Sequence, residues 1–254
     1  MFTILKILPR EKGMKTFINS FLKKDEPILT RIAVNKGAPF FIVEVINGKN
    51  GLDFPRVASI LGIGAKCIIL ENNVKMPNNK YLKEFEPKKL SNIMLFNSGK
   101  QLISKCEKPE CERICAVIDP NAELVSQISQ LVPMTSILKI ITNSPGKYEK
   151  AAADILEDFG LPIIITQSEK MLDDCDFIIS PFKNENNIYS ECIAIKYKKQ
   201  QSIRVKGEGI TLPNEYREIM PPNIDEFKFA AALYELSCVK KIGKLSFDRI
   251  IKIN

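Results

Sequence analysis

Residues 113–182 read RICAVIDPNAELVSQISQLVPMTSILKIITNSPGKYEKAAADILEDFGLPIIITQSEKMLDDCDFIISPF. Ile114 to Ile118 is a continuous apolar run of strand length. Asp119 and Pro120 then supply an N-cap and a first-turn proline for a helix carrying Leu124, Val125, Ile128, Leu131 and Val132 at helical spacing. A second strand over Ile137 to Thr142 leads through Ser144 and Pro145 into a helix with Tyr148, Ala151, Ala152, Ile155, Leu156 and Phe159 as its apolar positions, ended by a C-cap glycine, Gly160. Leu161 to Thr166, a short helix from Ser168 through Leu172, and Phe177 to Ser180 follow. Strands apolar on both faces that alternate with amphipathic helices specify an α/β protein with a parallel sheet covered on both sides.

Outward from this stretch the pattern is less regular. Phe2 to Leu8 and Ile28 to Val34 read as strands with a helix from Met14 to Leu22 between them, and Phe40 to Ile46 reads as a third strand. Asp53 can cap a helix bearing Phe54, Val57, Ala58 and Leu61, after which Lys66 to Leu70 returns as a strand and makes a second βαβ unit. Leu90, Ile93 and Met94 mark a further helix. The segment Lys105 to Glu112, charged and containing Pro109, is the expected junction between an N-terminal α/β half over 1–106 and a second domain over 107–254. Beyond Pro181, Lys183 to Asn187 reads as a polar turn, Cys192 to Ile195 and Ile203 to Val205 as a hairpin, and Gly207 to Pro222 as loop. A final helix from about Asn223 to Val239, with Phe227, Ala230, Ala231 and Tyr234 on one face, is expected to return to the N-terminal half.

The 254 residues, 45% hydrophobic and 26% charged, fall where ordinary globular proteins fall. Histidine is absent, which removes the Ser-His and Cys-His couples, the imidazole base and the His-ligated metal. A formal charge of +7 raises the question of a polyanionic partner. The densest basic stretch, Lys196, Lys198, Lys199, Arg204 and Lys206, and a second excess at Lys75, Lys80, Lys83, Lys88 and Lys89, have little aromatic interleaving, so solvated surface is the expected reading and nucleic acid is not. Seven cysteines, an odd number spread from Cys67 to Cys238, point to reduced thiols and a cytoplasmic location. The apolar run within Met1 to Pro9 is short and interrupted by Lys6, and no window approaches the length of a spanning helix, so no membrane partner is expected.

The stretch from Ile137 to Phe182, with Thr142-Asn143-Ser144 after one strand, a helix ending in Phe159-Gly160, and Cys175 to Ser180, resembles the Rossmann domain of shikimate dehydrogenases and glutamyl-tRNA reductases. The resemblance covers about residues 113–182 and implies a Rossmann-like parallel sheet in the C-terminal half, preceded by a substrate-domain-like half. It also implies NADP as the cofactor of a divergent oxidoreductase. The turn where such a cofactor would lie departs from the pattern. Asp119-Pro-Asn-Ala-Glu123 has no glycine, its proline removes an amide donor, and two carboxylates stand where a diphosphate would sit. At about 5 Å and an effective dielectric near 20, each carboxylate–phosphate pair costs roughly 3 kcal/mol.

A ligand of an open parallel sheet binds outside the carboxyl ends of its strands. Those ends carry Asn143, Ser144, Lys147 and Thr166, which are the candidate ligand-binding residues for a phosphate or carboxylate, with Ser144 also readable as a plain N-cap. Cys106, Cys111 and Cys115 match no standard cluster spacing, and Asp173, Asp174 and Asp176 read as a polar turn, so no metal is expected. The expected function is therefore that of a non-catalytic Rossmann-like protein with no cofactor and an interaction, regulatory or small-ligand-binding role, its partner a small anion or a protein. The alternatives are a divergent NAD(P)-dependent oxidoreductase and an anion or nucleic-acid binder using the Lys196 to Lys206 stretch.

Overall fold

A computed structural model describes residues 1–8, 28–46, 52–72, 74–76, 78–182, 192–195 and 203–253. The helix expected over Met14 to Leu22, the polar turn from Lys183, and Lys196, Lys198 and Lys199 lie outside the described residues. The chain is a mixed α/β protein that divides into two compact units. One comprises Met1–Leu90 with Leu212–Gly243, the other Ser91–Thr211 with Lys244–Asn254, so the segment 105–112 lies within the second unit.

The first unit is built on a four-stranded sheet of order β2-β3-β1-β4, with β1 at Thr3–Leu8, β2 at Ile28–Val34, β3 at Gly37–Ile46 and β4 at Ile68–Leu70. Helix α1, Phe54–Leu61, connects β3 to β4 as the sequence pattern requires, and the Asp53 side chain accepts from the Arg56 amide at 3.2 Å. Both β3 and β4 run parallel to β1. Strand β2 does not complete a parallel βαβ unit with β1, because it pairs antiparallel with β3 across the Asn35-Lys36 turn. Lys36 takes φ +59°, a conformation that suits a tight hairpin.

Helix α5, Glu226–Glu235, belongs to this unit, preceded by a short helix α4, Asn214–Arg217, where the sequence pattern suggested loop. Asp225 caps α5 by accepting from the Lys228 amide at 2.6 Å. The buried aromatic of α5 is Phe229, while Phe227 and Tyr234 are half-buried. Phe2 and Phe40 stack at 5.0 Å, and Phe229 meets them edge-on at 5.9 and 5.4 Å, so β1, β3 and α5 share one aromatic core. Further out, Glu235 accepts hydrogen bonds from the amides of Lys88, Lys89 and Leu90.

The second unit holds a seven-stranded sheet of order β11-β10-β9-β8-β5-β6-β7. Its parallel part is β5 Ile114–Ile118, β6 Ile137–Ile141, β7 Ile163–Thr166 and β8 Phe177–Ser180. Antiparallel strands β9 Cys192–Ile195, β10 Ile203–Glu208 and β11 Arg249–Ile253 extend it. Strand β11 was not expected from the sequence, and it shows how the antiparallel edge continues past the hairpin. Helix α2, Leu90–Ser104, places Leu95 and Leu102 against Ile193, Val205, Phe247 and Ile250.

Of the three crossovers within the parallel part, only β6 to β7 is an α-helix, α3 at Gly146–Phe159. It ends at Gly160 with φ +66°, the left-handed cap that glycine adopts without steric cost. The helix expected after Asp119 does not form. Residues 120–127 are turns and irregular backbone, Ala122 takes φ +56°, and a 3-10 helix follows over Ile128–Met134 with Pro133 inside it. Helical periodicity in residues 124–132 thus marks burial of Leu124, Ile128 and Leu131 without an α-helix.

Gly37 marks a close approach to backbone in the first unit. A Cβ there would lie 2.8 Å from Val239 Cγ2 and 3.0 Å from the Ser237 carbonyl oxygen, while the Ala38 amide donates to that same carbonyl at 3.1 Å. Gly37→Ala is expected to destabilise the protein by about 1–3 kcal/mol, because a backbone oxygen cannot move aside as a side-chain tip can. Urea unfolding followed by circular dichroism measures this loss.

Candidate functional site

The carboxyl ends of β5, β6 and β7 form one edge, and all four candidate residues stand along it. Asn143, exposed, donates its amide to the Pro120 carbonyl at 3.1 Å, which ties the turn after β6 to the turn after β5. Ser144 is half-buried and its amide donates to Thr142 Oγ1 at 3.1 Å. It is not the helix cap: Pro145 occupies that position, with no side-chain hydrogen bond. Lys147 is exposed and its Nζ donates to the Asn121 carbonyl at 3.3 Å. Thr166 ends β7, where its carbonyl accepts from the Thr142 amide at 2.9 Å and its Oγ1 from the Ser168 amide at 3.1 Å. The edge is thus brought together, with several of its backbone donors already engaged.

Asp119 directly follows β5 at this edge and is turned inward. Its side chain is fully buried, with 0% exposure, whereas Glu123 is exposed. The Asp119 carboxylate accepts from the Glu123 amide at 3.0 Å, from the Leu124 amide at 2.7 Å, and from the Tyr148 hydroxyl of α3. In a phosphate-binding turn, amides in the first turn after the strand point at the ligand's oxygens. Here two amides of the corresponding turn are filled by the chain's own anion. Burial first, and the Asp119 carboxylate second, hold the Tyr148 phenol above its ordinary value, so it stays a hydrogen-bond donor to that carboxylate. Tyr148 is itself fully buried, and the sequence pattern registers it only as an apolar position of α3.

Two of the three acids, Asp174 and Asp176, serve as separate structural anchors. Lys139 lies in β6 with 2% exposure, and its ammonium pairs with Asp174 at 2.5 Å and donates to the Met171 carbonyl at 3.0 Å. Asp176 accepts from Lys108 Nζ at 2.5 Å and from the Ile114 amide at 2.9 Å. Burial pushes the Cys115 thiol up to about 11 and the Cys175 thiol up to about 12. Among the described residues, no group of three or more Cys, Asp or Glu side chains could hold a metal ion. No helix among the described residues is long and apolar enough to cross a membrane.

Comparison of the chain with family models, with curated proteins and with solved structures finds no match.

Two outcomes test this geometry. Asp119→Ala leaves two amides and a buried hydroxyl without their acceptor, and at about 1–3 kcal/mol for each buried group left unsatisfied it is expected to cost roughly 3 kcal/mol or more. Tyr148→Phe removes one donor and should cost about 1–2 kcal/mol. Chemical denaturation of both variants measures the difference, and equal losses would show that the amides do not depend on Asp119. The buried thiols give a pH effect of defined sign. Their stabilising contribution is complete below the ordinary thiol value of about 8.5, and declines as pH rises above it, because the unfolded chain ionises first and the folded thiols only near 11 and 12. At pH 8, iodoacetamide should label exposed Cys111 in the native protein and spare Cys115 and Cys175.

Proposed function

We propose that this chain is a non-catalytic Rossmann-like protein that works by binding, with an interaction, regulatory or small-ligand-binding role, and that the turn after β5 takes no dinucleotide. The parallel order β7-β6-β5-β8, with β5 first in the chain, supports the Rossmann-like reading, since the 3-2-1-4-5-6 order of that fold opens the same way. The observation that carries the functional reading is the buried Asp119 carboxylate, saturated by two turn amides and the Tyr148 hydroxyl. A diphosphate at this turn would have to displace a fully buried anion that already holds the amides it needs. It would also lie beside that negative charge, a pairing that costs roughly 3 kcal/mol at about 5 Å and an effective dielectric near 20.

The role left to the protein is selective association. Isothermal titration of the full chain with NAD and with NADP is expected to show no saturable heat at concentrations below about 1 mM, the affinity at which binding is worth only about 4 kcal/mol. Tight, stoichiometric binding of either cofactor would overturn the proposal.

A further inference from the structure

We propose that a cavity of the first unit, lined by Lys36, Lys240, Lys241, Glu215, Tyr216 and Cys238, is a binding site for a compact multivalent anion bearing carboxylate or phosphate groups. The cavity measures about 250 Å³. This lies just under the range of roughly 300–1,000 Å³ found for drug-sized ligands, so it suits a small metabolite. It is distant in sequence from the Asp119 turn and belongs to the other unit, so the proposal is independent of the reading of that turn.

Charge selects the class of ligand. Three lysines line the cavity against one carboxylate. Lys241 pairs with Glu215 at 3.1 Å, which neutralises one ammonium. Lys36 and Lys240 are exposed and make no ion pair among the described residues, so two ammonium groups remain for a ligand. Lysine suits such a role as a compact, mobile point charge with three donors. Tyr216 is buried beside them, and burial first and Glu215 second keep its phenol above the ordinary value, so it remains a donor to the Glu215 carboxylate.

The walls are built rather than incidental. Lys36 sits at the tip of the β2–β3 hairpin and Cys238 in the turn after α5, and both hold left-handed backbone, with φ +59° and +56°. Non-glycine residues persist there only where the surroundings over-determine them. The surroundings here are each other. Gly37 lets the hairpin close on Val239 and the Ser237 carbonyl, the Ala38 amide bonds that carbonyl at 3.1 Å, and the Val239 amide bonds the Leu233 carbonyl at 3.0 Å. The two turns that carry Lys36, Cys238 and Lys240 are therefore locked together, which fixes two charged positions that are about 200 residues apart in sequence.

The full chain is titrated calorimetrically with citrate and, separately, with inorganic phosphate, each against sodium chloride of matched ionic strength. Saturable binding tighter than about 1 mM is expected for at least one probe, and the stronger probe identifies carboxylate or phosphate as the recognised group. Lys36→Gln and Lys240→Gln should each weaken it by about tenfold, the effect of losing one hydrogen bond to a charged group. Lys244→Gln, an exposed lysine of the other unit, should leave it unchanged. Site-resolved alkylation gives a second readout: the bound probe should slow iodoacetamide labelling of Cys238 and leave Cys111 labelling as it was. Absence of saturable binding by both probes overturns the proposal, as does binding that both Lys36→Gln and Lys240→Gln leave intact. Neither result bears on NAD or NADP at the Asp119 turn, and cofactor binding there would leave this cavity's test standing.

Discussion

The carboxylate of Asp119 is the constraint on which the second unit's candidate edge depends. A fully buried anion is tolerated only if its oxygens are satisfied, and here two amides and a phenol satisfy them. Meeting that demand sets the path of the chain after β5. Residues 120–127 turn back so that the Glu123 and Leu124 amides reach the carboxylate, Ala122 takes up a left-handed conformation, and the segment cannot wind into an α-helix. The same demand pins α3 through Tyr148, since its hydroxyl must come to the same oxygens. One buried group thus fixes a turn, suppresses a helix, positions another helix and fills two amides of the turn.

The first unit rests on apolar closure instead. Its aromatic trio, Phe2, Phe40 and Phe229, joins an N-terminal strand, a central strand and a helix that comes from near the end of the chain. Packing of this kind is insensitive to sequence distance, which is how residues 212–243 become part of the unit formed by residues 1–90. The Gly37 approach then brings the β2–β3 hairpin against Ser237 and Val239, and that closure sets the walls of the lysine-bearing cavity. Neither Lys36 nor Lys240 stands out in the sequence, because each is a single lysine among many.

Charged residues that read as a cluster are dispersed by the fold. Asp174 and Asp176 are two positions apart, yet one anchors Lys139 and the other Lys108 and the Ile114 amide. Lys139 is a case the apolar pattern hides: it lies in the strand Ile137–Ile141 and is almost fully buried, a position that a lysine holds only with a partner. The partner comes from the segment before β8, 35 residues later.

The α/β class, the strands β1 to β8 to within a few residues, the caps at Asp53 and Gly160, and the absence of glycine from the turn after β5 are all legible in the order of residues alone. These are local properties. Apolar runs and cap residues act through backbone groups a few positions away, so they can be read without knowing what lies across the core. Long-range packing sets the rest: that β2 runs antiparallel, that β11 joins the sheet, that residues 119–127 do not form a helix, and that Asp119 is turned inward. Strand direction and edge pairing depend on hydrogen bonds to chain far away. The orientation of Asp119 depends on Tyr148, 29 residues on, and on the balance between burying a charge and satisfying it. A periodicity of 3.6 in residues 124–132 could not reveal that balance, because a 3-10 helix can bury the same apolar positions while the carboxylate holds the amides an α-helix would have used.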